Sequence, residues 1–264
     1  MKLNPPKSGG FFFNENFLKI KIQNSSDQNN ELEGRARTLV SWQLFVTAML
    51  AFCWSLFQLW HASPLPYFFK TGVFIDVPAR GIHLAFAVAI CFLLFPATKM
   101  LRGKSFNFLD VLFSLLASVC SLYLYFEYTE LVDRNGILLK IPLEIFGVNL
   151  SFPLELMIGG CGILLLLEAT RRSIGLPLVI VATIFLFYSL SGQSMPDLIA
   201  HQGLSFERLV GYQWLGGEAI FGIPISVSVS FVFLFVLFGS MLDEAGGGRY
   251  FLNLAVALVG KFRG

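Results

Sequence analysis

Long apolar runs separated by short polar segments dominate the chain from residue 39 onwards. A helix rises 1.5 Å per residue, so about 20 apolar residues cross a hydrocarbon core of about 30 Å. Six runs are candidates, of which the second, fourth and fifth are short: 39–60, 82–97, 108–126, 153–167, 174–190 and 219–242. Backbone facing lipid must satisfy its own hydrogen bonds, which helices do. The pattern therefore predicts an all-α, polytopic transmembrane protein with about six spans.

Basic residues orient these spans, because Lys and Arg in short loops are retained on the cytoplasmic side. A cytoplasmic N-terminus places 14 of the 19 basic residues on that side. The remaining five are Lys70, Arg80, Arg134, Lys140 and Arg208. We therefore predict a cytoplasmic N-terminus, with the segments around Asn135 and Gln202 facing outwards.

Two outward segments carry local structural signals. Asn135-Gly136 has the composition of a two-residue hairpin turn, which predicts a small external hairpin. Ser205 is placed to cap a short helix whose apolar positions recur at helical spacing and end at Trp214. We expect this helix, over 206–214, to lie along the outer membrane interface with Trp214 as an aromatic anchor.

Composition narrows the function classes. Charged residues form only 14% of the 264 positions, against roughly a quarter in soluble globular chains, and the net charge of +2 gives no reason to expect nucleic acid. The cysteines lie far apart in apolar runs, and we interpret them as small buried hydrophobic residues: Cys53, Cys91, Cys120 and Cys161. His61, His83 and His201 lack the HxxxH or HExxH spacing of a metal site, so no metal or other cofactor is expected.

The first 38 residues form a polar segment that includes the run QNSSDQNNELEG. Its apolar content is too low to fold alone, and it lacks the pattern of a cleavable signal peptide. We interpret residues 1–38 as a cytoplasmic tail.

Charged residues in membrane segments are costly and often functional, which singles out Arg80, Glu155, Glu168 and Glu218. Each lies close to a predicted helix end, where snorkelling to water or headgroups is the simpler explanation. Glu168 stands three and four residues before Arg171 and Arg172, the spacing of a helix-terminal ion-pair cluster.

The sixth run opens with GEAIFGIP, so Gly222 and Pro224 weaken the backbone ladder near the outer surface. Discontinuous helices line many transporter sites, whereas a proline in the first helical turn is a simple kinked entry. Ser226, Ser228 and Ser230 follow, and we interpret Ser226 and Ser230 as packing contacts on one face.

Glycines mark two further places. Gly159, Gly160 and Gly162 in the fourth run permit close helix approach. The triple glycine at 246–248 lacks the GK[ST] of a phosphate loop, and we interpret it as a flexible break between helices.

Residues 155–264 contain LLLLEATRRSIGLPLVIVATIFLFYSLSG followed by GEAIFGIPISVSVSFVFLFVLFGSMLDEAGGGRYFLNLAVALVGKFRG. This part resembles the fused permease of tripartite ATP-independent periplasmic (TRAP) transporters of the TAXI type. That family fuses a four-helix small subunit to a twelve-helix large subunit. The resemblance implies a tail over 1–38, a small-subunit-like domain over 39–172, and a connecting helix with the start of the large domain over 173–264.

The resemblance also implies function: sodium-driven uptake of organic anions, chiefly carboxylates, across the bacterial inner membrane. Sodium would be the coupling ion, and a TAXI-type periplasmic solute-binding protein would be the partner. The candidate functional residues are Glu218, Gly222, Pro224, Glu168, Arg171 and Arg172. The family's hairpin ligand motif would begin just after Gly264, so no substrate or sodium ligand is assigned.

Two other classes remain open. A membrane scaffold or helper subunit would need spans but no transport site. An intramembrane enzyme would need clustered acids or histidines, and the sequence offers scattered single charges. On the TRAP interpretation, we expect this chain alone to insert into a membrane without transporting, with lipids and a separately encoded remainder of the permease as further partners.

Overall fold

The computed structural model describes residues 36–98, 100, 105–134, 137–145 and 148–259. Its helices are α1 (Ser41–Ala62), α2 (Leu65–Phe69), α3 (Asp76–Leu94), α4 (Phe108–Asp133), α5 (Leu154–Ser173), α6 (Leu176–Leu190), α7 (Phe206–Val210), α8 (Ile223–Glu244) and α9 (Gly247–Val259). A small antiparallel hairpin of β1 (Ile141–Ile145) and β2 (Val148–Phe152) joins α4 to α5. The predicted polytopic helical class is confirmed, and most of the polar tail lies outside the described residues.

Each predicted apolar run coincides with a helix. In the described part of the chain, α1, α3, α4 and α8 are long and apolar enough to cross a membrane, while α6 has 15 residues and α5 carries charges at both ends. The count of six spans therefore stays a prediction. Helix α3 begins six residues before the predicted Ile82, because Asp76 suits the positive helix N-terminus and Pro78 falls in the first turn.

The core lies between α3, α4 and α5, where Phe92, Leu124 and Ile163 are buried. Helix α7 and the π-helical turn Gly211–Leu215 that follows it pack onto this core through Trp214. Helix α1 flanks α3, and α6 has no buried side chain. The outer helices thus present apolar surface suited to lipid or to further protein.

Successive helices alternate in direction through the first part of the chain. At one end, the Arg37 amide donates to the Leu94 carbonyl at 2.9 Å, and the side chains of Asp110 and Arg172 meet there too. At the other end, Arg134 and Glu155 form an ion pair. Positions before α1, after α3, before α4 and after α5 therefore share one end, as the charge pattern predicts.

Two cysteine variants test which end is cytoplasmic. With the four native cysteines replaced, Gln202→Cys is expected to react with an impermeant thiol reagent added outside intact cells, because the basic residues assign it to the outside. Ala245→Cys, between α8 and α9, is the matched inward control, and both positions are exposed. Labelling of Ala245→Cys with protection of Gln202→Cys would reverse the orientation.

The external hairpin forms later in the chain than predicted. Leu131 and Val132 continue α4, since Leu131 is buried in the core and holds the helix together to Asp133. The strands instead pair over 141–152, and Asn135 and Gly136 lie outside the described residues. Burial of Leu131 therefore places the residues before Asn-Gly in a helix rather than in a strand.

The short helix after Ser205 forms as predicted, and the Ser205 hydroxyl accepts from the Arg208 amide at 3.3 Å. The interfacial anchor is wrong: Trp214 is 1% exposed, and its indole N–H donates to the Cys120 carbonyl at 3.1 Å. Gly159 and Gly162 explain this burial, because a Cβ on either would collide with Val210 or Trp214. The packing role of these two glycines is thus confirmed.

The predicted helix break at the glycine run is confirmed, whereas the predicted burial of the cysteines is confirmed only in part. The glycine run separates α8 from α9, with Gly246 at φ +79°, so the helix break is confirmed. Cys120 is buried as expected, whereas Cys53 is exposed on α1, which packs on α3 with only one face.

Candidate functional site

The chain breaks its helical path just before α8. Gly222 caps this helix with φ −79° and ψ −145°, and Pro224 occupies its first turn, where the missing N–H costs little. A Cβ on Gly222 would collide with the Glu218 carbonyl. Glycine and proline therefore set a sharp entry into the sixth predicted span.

Arg80 of α3 forms a hydrogen bond with a backbone carbonyl at this break. Its guanidinium donates to the Phe221 carbonyl at 2.9 Å, across 141 residues of sequence. Phe221 is fully buried and packs edge-on against Trp214, with ring centroids 5.4 Å apart. A cationic side chain of α3 therefore pairs with a backbone carbonyl at the break.

One turn further along α3, His83 is buried between α1 and α8. The Trp54 indole donates to Nδ1 at 3.2 Å, and the Gln58 amide nitrogen contacts the same atom. Ser228 Oγ lies 3.2 Å from Nε2. Since two donors face Nδ1, the network assigns the proton to Nε2, which donates to Ser228.

Ser228 begins a π-helical turn, Ser228–Val232, inside α8. Such turns are frequent at functional sites and shift the faces of the residues that follow them. Ser230 is exposed, and Ser228 rather than Ser226 or Ser230 reaches His83. We call the contacts of Arg80 with Phe221 and of His83 with Ser228 the α3–α8 joint.

Loss of Arg80 is expected to loosen this joint. In Arg80→Gln, the shorter neutral amide leaves the Phe221 carbonyl unpaired, so amide hydrogen exchange over 219–224 should accelerate about tenfold. Arg208→Gln is the matched control, because Arg208 is exposed. Unchanged exchange in Arg80→Gln, measured by mass spectrometry, would show that the hydrogen bond does not hold the break.

A second charged group lies at the opposite end of the bundle. Glu168 accepts hydrogen bonds from Arg171 and Arg172 at 2.7–2.8 Å, which confirms the helix-terminal pairing. Arg172 also bonds Asp110 at 2.6 Å, and Arg37 bonds the other oxygen of Asp110 at 2.5 Å. We call these five residues the Asp110 cluster.

Burial and helix ends shape the electrostatics of the Asp110 cluster. The side chains of Arg37, Asp110 and Arg172 are at most 1% exposed, and Arg172 also lies over the Phe92 ring at 4.9 Å. Asp110 sits in the first turn of α4 and Arg172 in the last turn of α5, each favoured by the local helix dipole. The arrangement ties α4, α5 and the segment before α1 together.

Glu155 does not snorkel, contrary to expectation. It is fully buried, and its carboxylate accepts from Tyr123 at 2.9 Å, Arg134 at 2.6 Å and the Leu139 amide at 2.7 Å. Three donors supply the compensation that a buried carboxylate requires. Glu155 therefore fixes the chain segment that leaves α4.

The sequence-predicted residues do not form one site. Gly222 and Pro224 lie beside the α3–α8 joint, between Phe221 and Ser228, while Glu168, Arg171 and Arg172 belong to the Asp110 cluster at the other end. Glu218 is exposed and makes no hydrogen bond or ion pair with any residue that the structure describes.

Sequence reasoning missed two central residues. Asp110 and His83 each place an ionisable group within an apolar run, the signal that could have singled them out. Their partners Arg37 and Ser228 lie 73 and 145 residues away.

The comparisons with known proteins bear on the second half of the chain. No curated protein and no solved structure matches the chain. Residues 161–264 match the family model described as "Tripartite ATP-independent periplasmic transporter, DctM component", a range that includes the α8 side of the joint. This match supports a TRAP transporter permease component in the chain.

Proposed function

We propose that this protein is the membrane permease component of a TRAP-type secondary transporter in the bacterial inner membrane. That transporter takes up organic anions, chiefly carboxylates, with a sodium gradient and a TAXI-type periplasmic solute-binding protein. The match of residues 161–264 to the DctM component carries this proposal. The apolar helices α1, α3, α4 and α8 support a membrane location.

The geometry supports different roles for residues 39–172 and residues 173–264. Residues 39–172 act as a small-subunit-like domain, built on the packed helices α3, α4 and α5. Residues 173–264 form a connecting helix and the beginning of the permease domain. The α3–α8 joint links the two parts, because Arg80 and His83 belong to the first and Phe221 and Ser228 to the second.

The joint also suggests why the first part is needed. A broken helix exposes backbone carbonyls, and an unpaired carbonyl in a dry environment costs free energy. Arg80 supplies the missing donor, and His83 bonds the π-helical turn of α8. The small-subunit-like domain thus holds α8, the long helix of the permease part, in a defined conformation.

An uptake experiment in the source organism tests the proposal. Deletion of the gene is expected to abolish sodium-dependent uptake of at least one member of a panel of ¹⁴C-labelled mono- and dicarboxylates. Wild-type protein should restore this uptake, while Arg80→Gln should restore less than a third. Replacement of external sodium by potassium, and deletion of the periplasmic binding protein, should each give the same loss.

The controls separate transport from general damage. Gly160→Ala is the matched variant, because a Cβ at Gly160 meets nothing within 4 Å. It should restore full uptake at equal membrane abundance. Unchanged uptake of the whole panel in the deletion strain would refute the proposed function.

A further inference from the structure

A groove of about 870 Å³ opens at the end of the bundle that the charge pattern assigns to the outside. It lies between the end of α4, the segment before β1, and α7 with its π-helical turn. Apolar and aromatic side chains dominate its lining: Tyr128, Leu131, Ile137, Leu138, Tyr212 and Leu215. A cavity of this size accommodates a small ligand or part of a lipid.

The groove lies where the spans leave the hydrocarbon core. The 26 residues of α4 extend about 39 Å, beyond a core of about 30 Å, so Leu131 and Val132 in its last turn lie at the boundary between acyl chains and headgroups. Gly216 and Gly217 also line the groove and precede α8 by a few residues. Val132 and Ile137 are 55% and 73% exposed, which is costly in water and favourable against acyl chains.

Both walls of the groove are held in place. The buried Glu155 carboxylate binds the Leu139 amide and Arg134, which fixes the segment carrying Ile137 and Leu138. On the other wall, Ser205 caps α7. Each wall of the groove therefore has a polar contact that positions part of it among the described residues.

Three charged side chains line the groove, and two of them are cationic. Lys140 and Arg208 face a single acid, Glu207, and the Lys140–Glu207 ion pair of 3.2 Å joins the two walls. Within the described part of the chain, Arg208 has no hydrogen-bonding or ionic partner for its exposed guanidinium. A guanidinium in this position suits a phosphate group.

We propose that this groove binds one anionic phospholipid of the outer leaflet. An acyl chain lies along the apolar lining, and the headgroup phosphate pairs with Arg208. Apolar lining, a position at the edge of the hydrocarbon core and an unpaired cation at the rim together select this ligand class over a neutral solute or a polar peptide.

Gly211 offers a direct test, because it lines the groove in a helical conformation with φ −57° and ψ −47°. A Cβ there would meet only Leu138, at 3.9 Å, so a longer side chain extends into the groove without backbone strain. Native mass spectrometry of protein released from nanodiscs of equal phosphatidylglycerol and phosphatidylcholine measures the bound lipid. Wild type should retain one phosphatidylglycerol, and Gly211→Leu should reduce its occupancy at least tenfold.

Two further variants make the result specific. Gly160→Leu, on an open face away from the groove, should retain wild-type occupancy. Arg208→Gln should keep a lipid but lose the preference for phosphatidylglycerol over phosphatidylcholine at least fivefold. Equal phosphatidylglycerol occupancy in Gly211→Leu would overturn the proposal, as would a wild-type groove free of lipid and covered by a second copy or by a periplasmic protein.

Discussion

Replacement of Asp110 by asparagine is expected to lower the free energy of unfolding by about 3–5 kcal/mol, because the buried Arg37 then lacks a carboxylate and the buried Arg172 loses one of its two. Asp110 receives hydrogen bonds from Arg37 and Arg172 on its two oxygens, with all three side chains at most 1% exposed. Arg172 keeps Glu168, but Arg37 has no other carboxylate within the described residues. The Nε and Nη1 atoms of Arg37 are already buried without a hydrogen-bond partner among those residues.

Thermal unfolding in detergent, followed by size-exclusion chromatography, measures this loss. Asp76→Asn is the matched carboxylate-to-amide control, since Asp76 is 82% exposed and lies 3.5 Å from Arg80. Because solvent screens the exposed Asp76 carboxylate, this pair contributes less than about 1 kcal/mol. If both variants unfold at the same temperature, the Asp110 cluster does not stabilise the bundle.

The second large effect is expected for Gly162→Ala, which should destabilise the protein by about 1–3 kcal/mol through overpacking. An added Cβ would overlap the indole ring of Trp214, which is 1% exposed and bonded to the Cys120 carbonyl. The ring cannot move away without breaking that bond and its packing against Phe221. The π-helical turn Gly211–Leu215 would then lose packing against α5.

Gly160→Ala, two residues earlier on the same helix, separates packing from helix propensity. A Cβ at Gly160 meets nothing within 4 Å, so alanine should stabilise α5 by about 0.5–1 kcal/mol. The double variant Gly162→Ala with Trp214→Leu should cost less than the sum of the two single variants. Additive losses in chemical unfolding would indicate that the two sites do not touch.

Local sequence patterns predicted the helices and the contacts within each helix better than the contacts between helices. Each apolar run became a helix, and the spacing of Glu168, Arg171 and Arg172 gave their ion pairs, because both signals depend on neighbours within one helix. Arg80 and Phe221 are 141 residues apart, and no periodicity relates them. Their pairing arises only when α3 and α8 pack together.

The two wrong predictions, the position of the hairpin and the surface that Trp214 faces, also depended on contacts distant in sequence. Asn-Gly is a strong local turn signal, yet burial of Leu131 carries α4 through the preceding residues. The amphipathic pattern ending at Trp214 correctly gave a helix but not the surface it faces. Gly159 and Gly162, about fifty residues earlier, create the space that draws Trp214 into the bundle.

The long sequence separation within the α3–α8 joint has a consequence for biosynthesis. At roughly 5–20 residues per second, the ribosome adds the 141 residues between Arg80 and Phe221 in roughly 7–28 s. During that interval α3 is inserted while the guanidinium still lacks its carbonyl acceptor, and Asp76 on the same helix is its nearest counter-charge. The nascent bundle must therefore keep a polar docking face open until α8 emerges, which makes the assembly of this protein dependent on the order in which its helices enter the membrane.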